Sequence, residues 1–186
     1  CTDSGANAMA MTVTVEQLTG AGPTATRVDN QSAPAFLFNR EDTRVGTTPI
    51  PTPTATGTNF SFVKSFQPNI TATDSLSMTN LRVGKVTNEA VTGAKLWANT
   101  TNSAYTQATG APTATPDNNI TPPTINGDPG VLLELITVPP AVYAAGPFNT
   151  TGRKGNIVEL VAGIDNTNTT SGTPTAPTIR WTWNES

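Results

Sequence analysis

Acidic side chains offer this chain its widest choice of chemistry. Glu134 and Glu159 fall within predicted strands, and two carboxylates at a suitable separation suffice for glycoside hydrolysis. Asp117, Asp128 and Asp165 fall in turn-rich segments, where loop oxygens can bind Ca²⁺. A strand Glu more often faces solvent, however, and an Asp in a turn commonly hydrogen-bonds its own backbone. We therefore expect structural roles for all five, with no catalytic residue and no metal site.

The other residues of enzyme sites are scarce. The sequence contains no histidine, which removes the commonest general base and the commonest metal ligand. Its single cysteine, Cys1, has no partner for an intramolecular disulfide and no histidine to activate it. No phosphate-binding Gly-rich loop and no Cys/His metal spacing occurs. The sequence predicts a protein that is not an enzyme and needs no cofactor.

Aromatic side chains allow a second kind of site. Trp97, Trp181 and Trp183, with Tyr105 and Tyr143, could form a platform on which sugars stack. Two Trp residues at a spacing of two on a terminal strand are more often part of a sandwich core. We therefore predict that the three Trp residues belong to the core.

Charge and hydropathy exclude two classes of partner. The chain has 10 basic and 13 acidic residues, a net charge of −3, and no basic cluster that could displace counterions from nucleic acid. No apolar stretch approaches the roughly 20 residues that span a bilayer. We expect no nucleic-acid binding, and no membrane association unless Cys1 is lipidated.

The elements that would carry these residues are strands. The chain is rich in Thr, and its 16 Pro and 15 Gly residues favour frequent turns. Short apolar segments alternate with polar residues, and no sustained helical period occurs. The sequence predicts an all-β fold, an antiparallel sandwich of immunoglobulin-like or jelly-roll-like type, with about seven to nine strands and long Pro/Thr-rich loops.

The clearest predicted strand runs from residue 59 to residue 67. Phe60, Phe62 and Phe66 share one face, and we expect Phe60 and Phe62 in the core. Lys64 interrupts this face, and we expect its stem to cover apolar surface near an edge while its charge reaches water. Other strands are predicted at 12–18, 77–86, 94–98, 131–138, 155–164 and 178–184.

Two segments are predicted to lie outside the sheets. Pro49, Pro51 and Pro53 fall in the stretch 47–58 and cannot donate to a central ladder, so they indicate an edge or an extended connector. Residues 110–130 predict a long surface loop. We expect an extended N-terminal arm over residues 1–11 and a single sandwich domain over residues 12–186.

From Met9 onward, the order of these features resembles a loose group of tailed-phage and prophage structural proteins. A strand of alternating Thr and Val after a Met start is followed by a polar stretch with Pro-Ile-Pro, a Gly-Thr-Asn-Phe-Ser strand and a closing strand rich in Trp. The pieces that carry the resemblance are residues 11–15, 44–51, 57–64, 80–82, 105–110 and 179–185.

This resemblance implies a sandwich that decorates or cements the exterior of a capsid. The implied partners are the major capsid protein or other virion proteins, with the chain itself in a homo-oligomer or symmetric array. Segments that become ordered on docking lose entropy, which multivalent attachment offsets. The implied contacts lie in the N-terminal arm and the Pro-rich connector, at residues Cys1, Met9, Met11, Pro49, Pro51 and Pro53.

A different class of function remains open. A chain that begins at Cys1 fits a lipoprotein whose cysteine carries the anchor, with Met9 and Met11 as alternative starts of the gene. The protein would then be an extracellular or cell-surface module for adhesion or glycan binding, and the Trp residues would contact the glycan.

Overall fold

Antiparallel strands form the protein, as a computed structural model of the chain shows. It describes residues 10–21, 26–29, 38–85, 94–108, 110, 142–166 and 179–186, and within these ranges it contains no helix. The strands are β1 (Thr12–Thr19), β2 (Thr26–Asp29), β3 (Thr58–Phe60), β4 (Lys64–Ala72), β5 (Met78–Lys85), β6 (Ala94–Asn102), β7 (Gly152–Arg153), β8 (Ile157–Asp165) and β9 (Ile179–Glu185).

The larger sheet has the order β2-β1-β4-β8-β3, with β6 also paired to β8 and β7 paired to β4. Both β3 and β4 pair with β8, while β6 runs along nearly all of it, so β8 has partners on both edges. Residues 61–63 separate β3 from β4 and are not in a strand. The Ser61 amide still donates to the Ala162 carbonyl at 2.8 Å, which keeps the two segments on one edge.

Burial along β4 alternates as expected for a strand that lies over a core. Phe66, Pro68 and Ile70 are buried, whereas Thr71 is exposed. Pro68 lacks an amide hydrogen, yet it lies inside this sheet. It is accommodated because one edge of β4 pairs with β8 only up to Phe66 and with β7 only from Asn69.

The smaller sheet consists of β5 and β9 in the described residues, and a shared core joins it to the larger one. Phe66 of β4 and Trp181 of β9 meet with ring centroids 5.7 Å apart and planes tilted by 55°. The main buried cluster contains Val15, Phe60, Val63, Phe66, Val83, Leu96, Ala98, Ala108, Val158, Leu160 and Val161. The predicted all-β antiparallel sandwich is confirmed.

Some predicted elements differ in detail or lie elsewhere. The single strand predicted over residues 59–67 is instead two strands, because residues 61–63 interrupt it. The connector over residues 47–57 contains no strand, and Pro49 and Pro51 are exposed. The strand predicted at 131–138 and nearly all of the loop predicted at 110–130 lie outside the described residues.

Candidate functional site

A buried lysine is the most unusual feature of the described chain. The side chain of Lys64 is only 1% exposed. Its Nζ donates to Asn39 Oδ1 at 2.8 Å, to the Glu41 carbonyl at 2.7 Å and to the Thr43 carbonyl at 2.7 Å. An ammonium has three hydrogens, so these acceptors satisfy it completely.

The position of Lys64 in β4 explains its burial. It shares the inward face of the strand with Phe66 and pairs across the sheet with Leu160. The expectation that its charge reaches water is wrong. Residues 39–48, which we name the clasp loop, lie over the end of its side chain, and their carbonyl oxygens replace water around the ammonium.

Asn39 links the lysine to the rest of the clasp loop and is only 2% exposed. Its Oδ1 accepts both from Lys64 and from the Glu41 amide at 3.1 Å, while its Nδ2 donates to the Gly46 carbonyl at 2.9 Å. Its own carbonyl accepts from the Phe62 amide at 2.8 Å. Asn39 therefore joins the start of the clasp loop to Gly46 near its end. It also joins the loop to Lys64 of β4 and to Phe62 in the segment between β3 and β4.

The Glu41 carboxylate closes the outer side of the clasp loop. It accepts from the Thr48 amide at 2.9 Å, from the Thr48 hydroxyl, and from the Thr43 hydroxyl at 3.4 Å. The two hydrogen bonds from Thr48 hold the pKa of Glu41 below its ordinary value. A Cβ at Gly46 would overlap this carboxylate, so the absence of a side chain at Gly46 lets the loop close.

Asp42 connects the clasp loop to two other segments. Its Oδ2 accepts from the Gly20 amide at 3.0 Å and from Gln107 Nε2 at 2.7 Å. Tyr105 donates its hydroxyl to the Gly20 carbonyl at 2.9 Å, and burial together with the Asp42 charge raises the pKa of Tyr105 to about 12. Asp42 thus ties the loop to the end of β1 and to the segment after β6.

Gln17 is the second buried polar residue beneath the loop, at 1% exposure. Arg44 donates to its Oε1 at 3.2 Å. Its Nε2 has no hydrogen-bond partner in the part of the chain that the structure describes. Gln17 and Lys64 both lie on the inward face of the larger sheet, and the clasp loop covers this polar end of the face.

Electrostatics at Lys64 combine a penalty with two attractions. Burial lowers the pKa of Lys64 to about 8, and the negative charges of Asp42 and Glu41 oppose this shift. Lysines with a lowered pKa occur at active sites as bases and nucleophiles. At 1% exposure, however, the amine is closed to an external substrate, and its chemistry is restricted to the groups that surround it.

The outer surface of the clasp loop and the segment after it is accessible. Val45, on the clasp loop, is the most exposed large hydrophobic residue among those described, at 52%. Residues 49–57, which we name the proline segment, follow directly, with Pro49 and Pro51 exposed and Pro53 half-buried. Asn59 Nδ2 donates to the Pro51 carbonyl at 2.8 Å and holds this segment to β3.

Of the predicted contact residues in the N-terminal arm, the structure describes Met11. Cys1 and Met9 lie outside the described residues. Met11 is buried, and its side chain packs with Val13, Ile70 and their neighbours in a second core cluster. The side chain of Met11 therefore contributes to the core, because the alternation of β1 begins one residue before the strand does.

The predicted core aromatics are placed as follows. Phe60 is buried, and Phe62 packs half-buried against the main core cluster. Trp181 is half-buried in the same cluster, and Trp183 packs against the second. Trp97 of β6 pairs through its backbone with Val161 of β8, and its side chain is not among those that the structure describes.

The acidic residues considered from the sequence do not converge in the described structure. Glu159 Oε2 accepts from Asn102 Nδ2 at 2.7 Å and from Asn99 Nδ2 at 3.2 Å, which joins β8 to β6. Asp165 ends β8, and Glu134, Asp117 and Asp128 lie outside the described residues. The described residues contain no group of three or more side chains suited to hold a metal ion.

Comparisons with known proteins add no relative. The chain matches no protein-family model, no curated protein and no solved structure. Within the described ranges there is also no helix with the length and apolarity to cross a membrane. The candidate site therefore stands on its own geometry: a closed loop on a buried ammonium, with Val45, Pro49 and Pro51 exposed beside it.

Proposed function

We propose that this protein is a non-enzymatic structural component of a phage particle that binds neighbouring virion proteins. The observation that carries the proposal is the clasp loop, which is fastened at Lys64, Asp42 and Arg44 and still exposes Val45. Its surface continues into the proline segment. The carboxylates of Glu41 and Asp42 accept hydrogen bonds that hold the loop closed.

The physical case for docking rests on preorganisation. A surface loop normally loses conformational entropy when a partner orders it, and this loss weakens binding. The clasp loop is already held by hydrogen bonds to β4, to the end of β1 and to residue 107, so little order remains to be gained. Proline fixes φ and lowers this loss further in the segment that follows.

The virion setting rests on the resemblance in the sequence, and the fold is compatible with it. A sandwich with a rigid exposed loop suits a decoration or cement protein, whose partner would be the major capsid protein or another copy of this chain. Repetition over a symmetric shell multiplies a modest contact. A capsid exterior is the location that we propose.

The first experiment is proteomics of particles purified by density gradient from a culture that carries the gene. The proposal expects the chain in the particle fraction at a fixed ratio to the capsid protein. Its presence only in envelope fractions would contradict the virion role and would favour the surface-module alternative.

A second experiment tests the surface itself. Val45→Asp places a charge at the centre of the proposed contact, and we expect co-sedimentation with particles to weaken by about tenfold or more. Val142→Asp is the matched control, because Val142 is also exposed, at 40%, but lies outside the clasp loop and the proline segment. If both variants weaken co-sedimentation equally, or if neither weakens it, the result would argue against this surface.

The glycan-binding alternative gains no support from Trp181 and Trp183, the two Trp residues whose side chains the structure describes. Trp181 packs against Phe66 between the sheets, and the Trp183 indole donates to Glu185 at 2.9 Å while its ring packs on the second core cluster. Side chains used in this way offer less open ring face to a sugar.

A further inference from the structure

We propose that Lys64 and Asn39 form an intramolecular isopeptide bond, in which the lysine Nζ joins the asparagine Cγ and ammonia is released. The geometry points to this bond because the two side chains are in direct contact, are nearly fully buried, and come from segments 25 residues apart. The inference does not depend on the proposed docking function, since it concerns the inner side of the clasp loop.

Proximity is the first requirement, and the structure meets it. Nζ lies 2.8 Å from Oδ1, and a carbonyl bond is about 1.23 Å long, so Nζ is at most roughly 4 Å from Cγ. A reactive approach needs about 3–3.5 Å. The Nζ–Cγ distance therefore has to shorten by no more than about 1 Å, and Nζ also has to swing from Oδ1 to a position over the face of the carboxamide.

Polarisation of the carboxamide is the second requirement. The Glu41 amide donates to Asn39 Oδ1 at 3.1 Å, at the oxygen where negative charge develops when Cγ is attacked. Asn39 Nδ2, the leaving nitrogen, is held by the Gly46 carbonyl at 2.9 Å. Both groups of the carboxamide are thus fixed before the reaction.

A neutral amine is the third requirement. The three carbonyl acceptors favour the ammonium, which is not nucleophilic, so the reaction proceeds from the fraction of molecules that have lost the proton. Burial makes this fraction larger than for an ordinary lysine, because it lowers the pKa of Lys64 to about 8. Exclusion of water also protects the amide from competing hydrolysis.

The balance of the reaction is simple. The lone pair of Nζ forms a bond to Cγ, and the π electrons of the carbonyl move to Oδ1. A proton passes from Nζ to Nδ2 within the tetrahedral adduct. The electrons on Oδ1 then restore the carbonyl while the Cγ–Nδ2 bond breaks, and ammonia leaves. No oxidant, reductant or further reactant takes part.

The experiment is peptide mapping of the full-length folded chain after incubation at about pH 9, where most of the Lys64 amine is neutral. Trypsin does not cleave after an acylated lysine. We expect a branched product in which residues 28–40 are attached to an uncleaved 45–82 peptide. Its mass should equal the sum of the masses of these two peptides less one ammonia. Loss of ammonia from the whole chain is not sufficient evidence, because Asn126, which precedes Gly127, can also lose ammonia when it forms a cyclic imide. The branched peptide is therefore the decisive observation.

Two controls separate this bond from ordinary ageing of the chain. Incubation in concentrated urea at the same pH keeps the residues but removes their proximity, and it should give no branched peptide. Lys64→Arg retains a cation that donates hydrogen bonds but has no nucleophilic amine, and it should also give none.

The pH dependence of the rate provides a further readout. Below the pKa of Lys64 the rate should rise by about tenfold per pH unit, and above it the rate should level off. The decisive sample is incubated in the folded state for a prolonged time and then denatured and digested. Complete tryptic cleavage after Lys64 in that sample would overturn the proposal. Lys64 would then hold the clasp loop through its three hydrogen bonds alone.

Discussion

The Nζ atom of Lys64 lies 2.7 Å from the main-chain carbonyl oxygen of Thr43, which precedes it by 21 residues. With the carbonyl of Glu41 and the side chain of Asn39, this contact gives the buried cation a full set of acceptors. A buried charge without such partners would be strongly destabilising. The loop and the lysine therefore depend on each other. The stability measurements use chains whose Lys64 amine is free, which are recognised by an intact mass that shows no loss of ammonia.

Lys64→Met tests this dependence. Methionine fills most of the volume of the lysine stem but removes the donor from the carbonyls of Glu41 and Thr43, whereas Asn39 Oδ1 keeps the Glu41 amide. Each buried group left unpaired costs about 1–3 kcal/mol. Removing the cost of burying a charge offsets part of this, so we expect the free energy of unfolding to fall by about 2–4 kcal/mol. Unfolding in urea measures it.

Lys154→Met is the control for that change. Lys154 bonds to Thr150 and Thr151 on the accessible surface, and we expect a change within about 0.5 kcal/mol. Hydrogen exchange should also accelerate at the Glu41 amide in Lys64→Met, because that amide donates to Asn39. Equal effects of the two substitutions would contradict a special role for Lys64.

The pH dependence of stability provides the second prediction. The pKa of Lys64 is about 8 in the folded chain and near 10.5 when the chain is unfolded, so between these values the unfolded chain binds more protons. The free energy of unfolding should then rise with pH, by up to about 1.4 kcal/mol per unit between pH 8 and 10, and this gain is lost as pH falls through 8.

Tyrosines set the upper limit of this window. Burial raises the pKa of Tyr105 to about 12 and also raises the pKa of Tyr143. Their contribution to stability is present below about pH 10 and is lost above it, since they ionise first in the unfolded chain. The measurement is the difference in slope between the parent and Lys64→Met from pH 8 to 10. Identical slopes would mean that Lys64 titrates as an ordinary lysine.

Sequence reasoning succeeds where a strand repeats a pattern and fails where a loop returns to cover it. Phe66 faces the core as the alternation around it indicates, and Pro49 and Pro51 lie exposed in a connector outside the strands, as the three closely spaced prolines predict. The cage of Lys64 could not be predicted, because its acceptors lie 21 to 25 residues earlier and two of them are backbone carbonyls. The available signal was a lysine on a face otherwise lined by Phe.

Gly46→Ala tests how the clasp loop closes. The added methyl group would overlap the Glu41 carboxylate and lie within 2.5 Å of the Thr43 hydroxyl, so Glu41 must leave its position at Thr48. We expect hydrogen exchange at the Thr48 amide to accelerate by about tenfold or more and docking to weaken with it. Gly110→Ala is the control, because no described atom lies within 4 Å of a Cβ placed there.

The contact between Phe66 and Trp181 leads to the last prediction. Phe66 is fully buried, and Trp181 brings the smaller sheet against it. Trp181→Ala removes a large side chain from between the sheets, and we expect the free energy of unfolding to fall by about 3–5 kcal/mol. Trp181→Phe keeps an aromatic ring at this position and should lose less than half of that.

Glycan binding distinguishes this structural role from recognition. If Trp181 acts in the core, Trp181→Phe should give the same response to a glycan panel as the parent chain. Trp181→Ala should lower the free energy of unfolding in urea and should not change the glycan response. Val45→Ala is the matched surface control and should change stability by no more than about 0.5 kcal/mol. Glycan binding by the parent that Trp181→Ala abolishes while leaving stability unchanged would assign Trp181 to a sugar platform, and the surface-module alternative would replace the virion proposal.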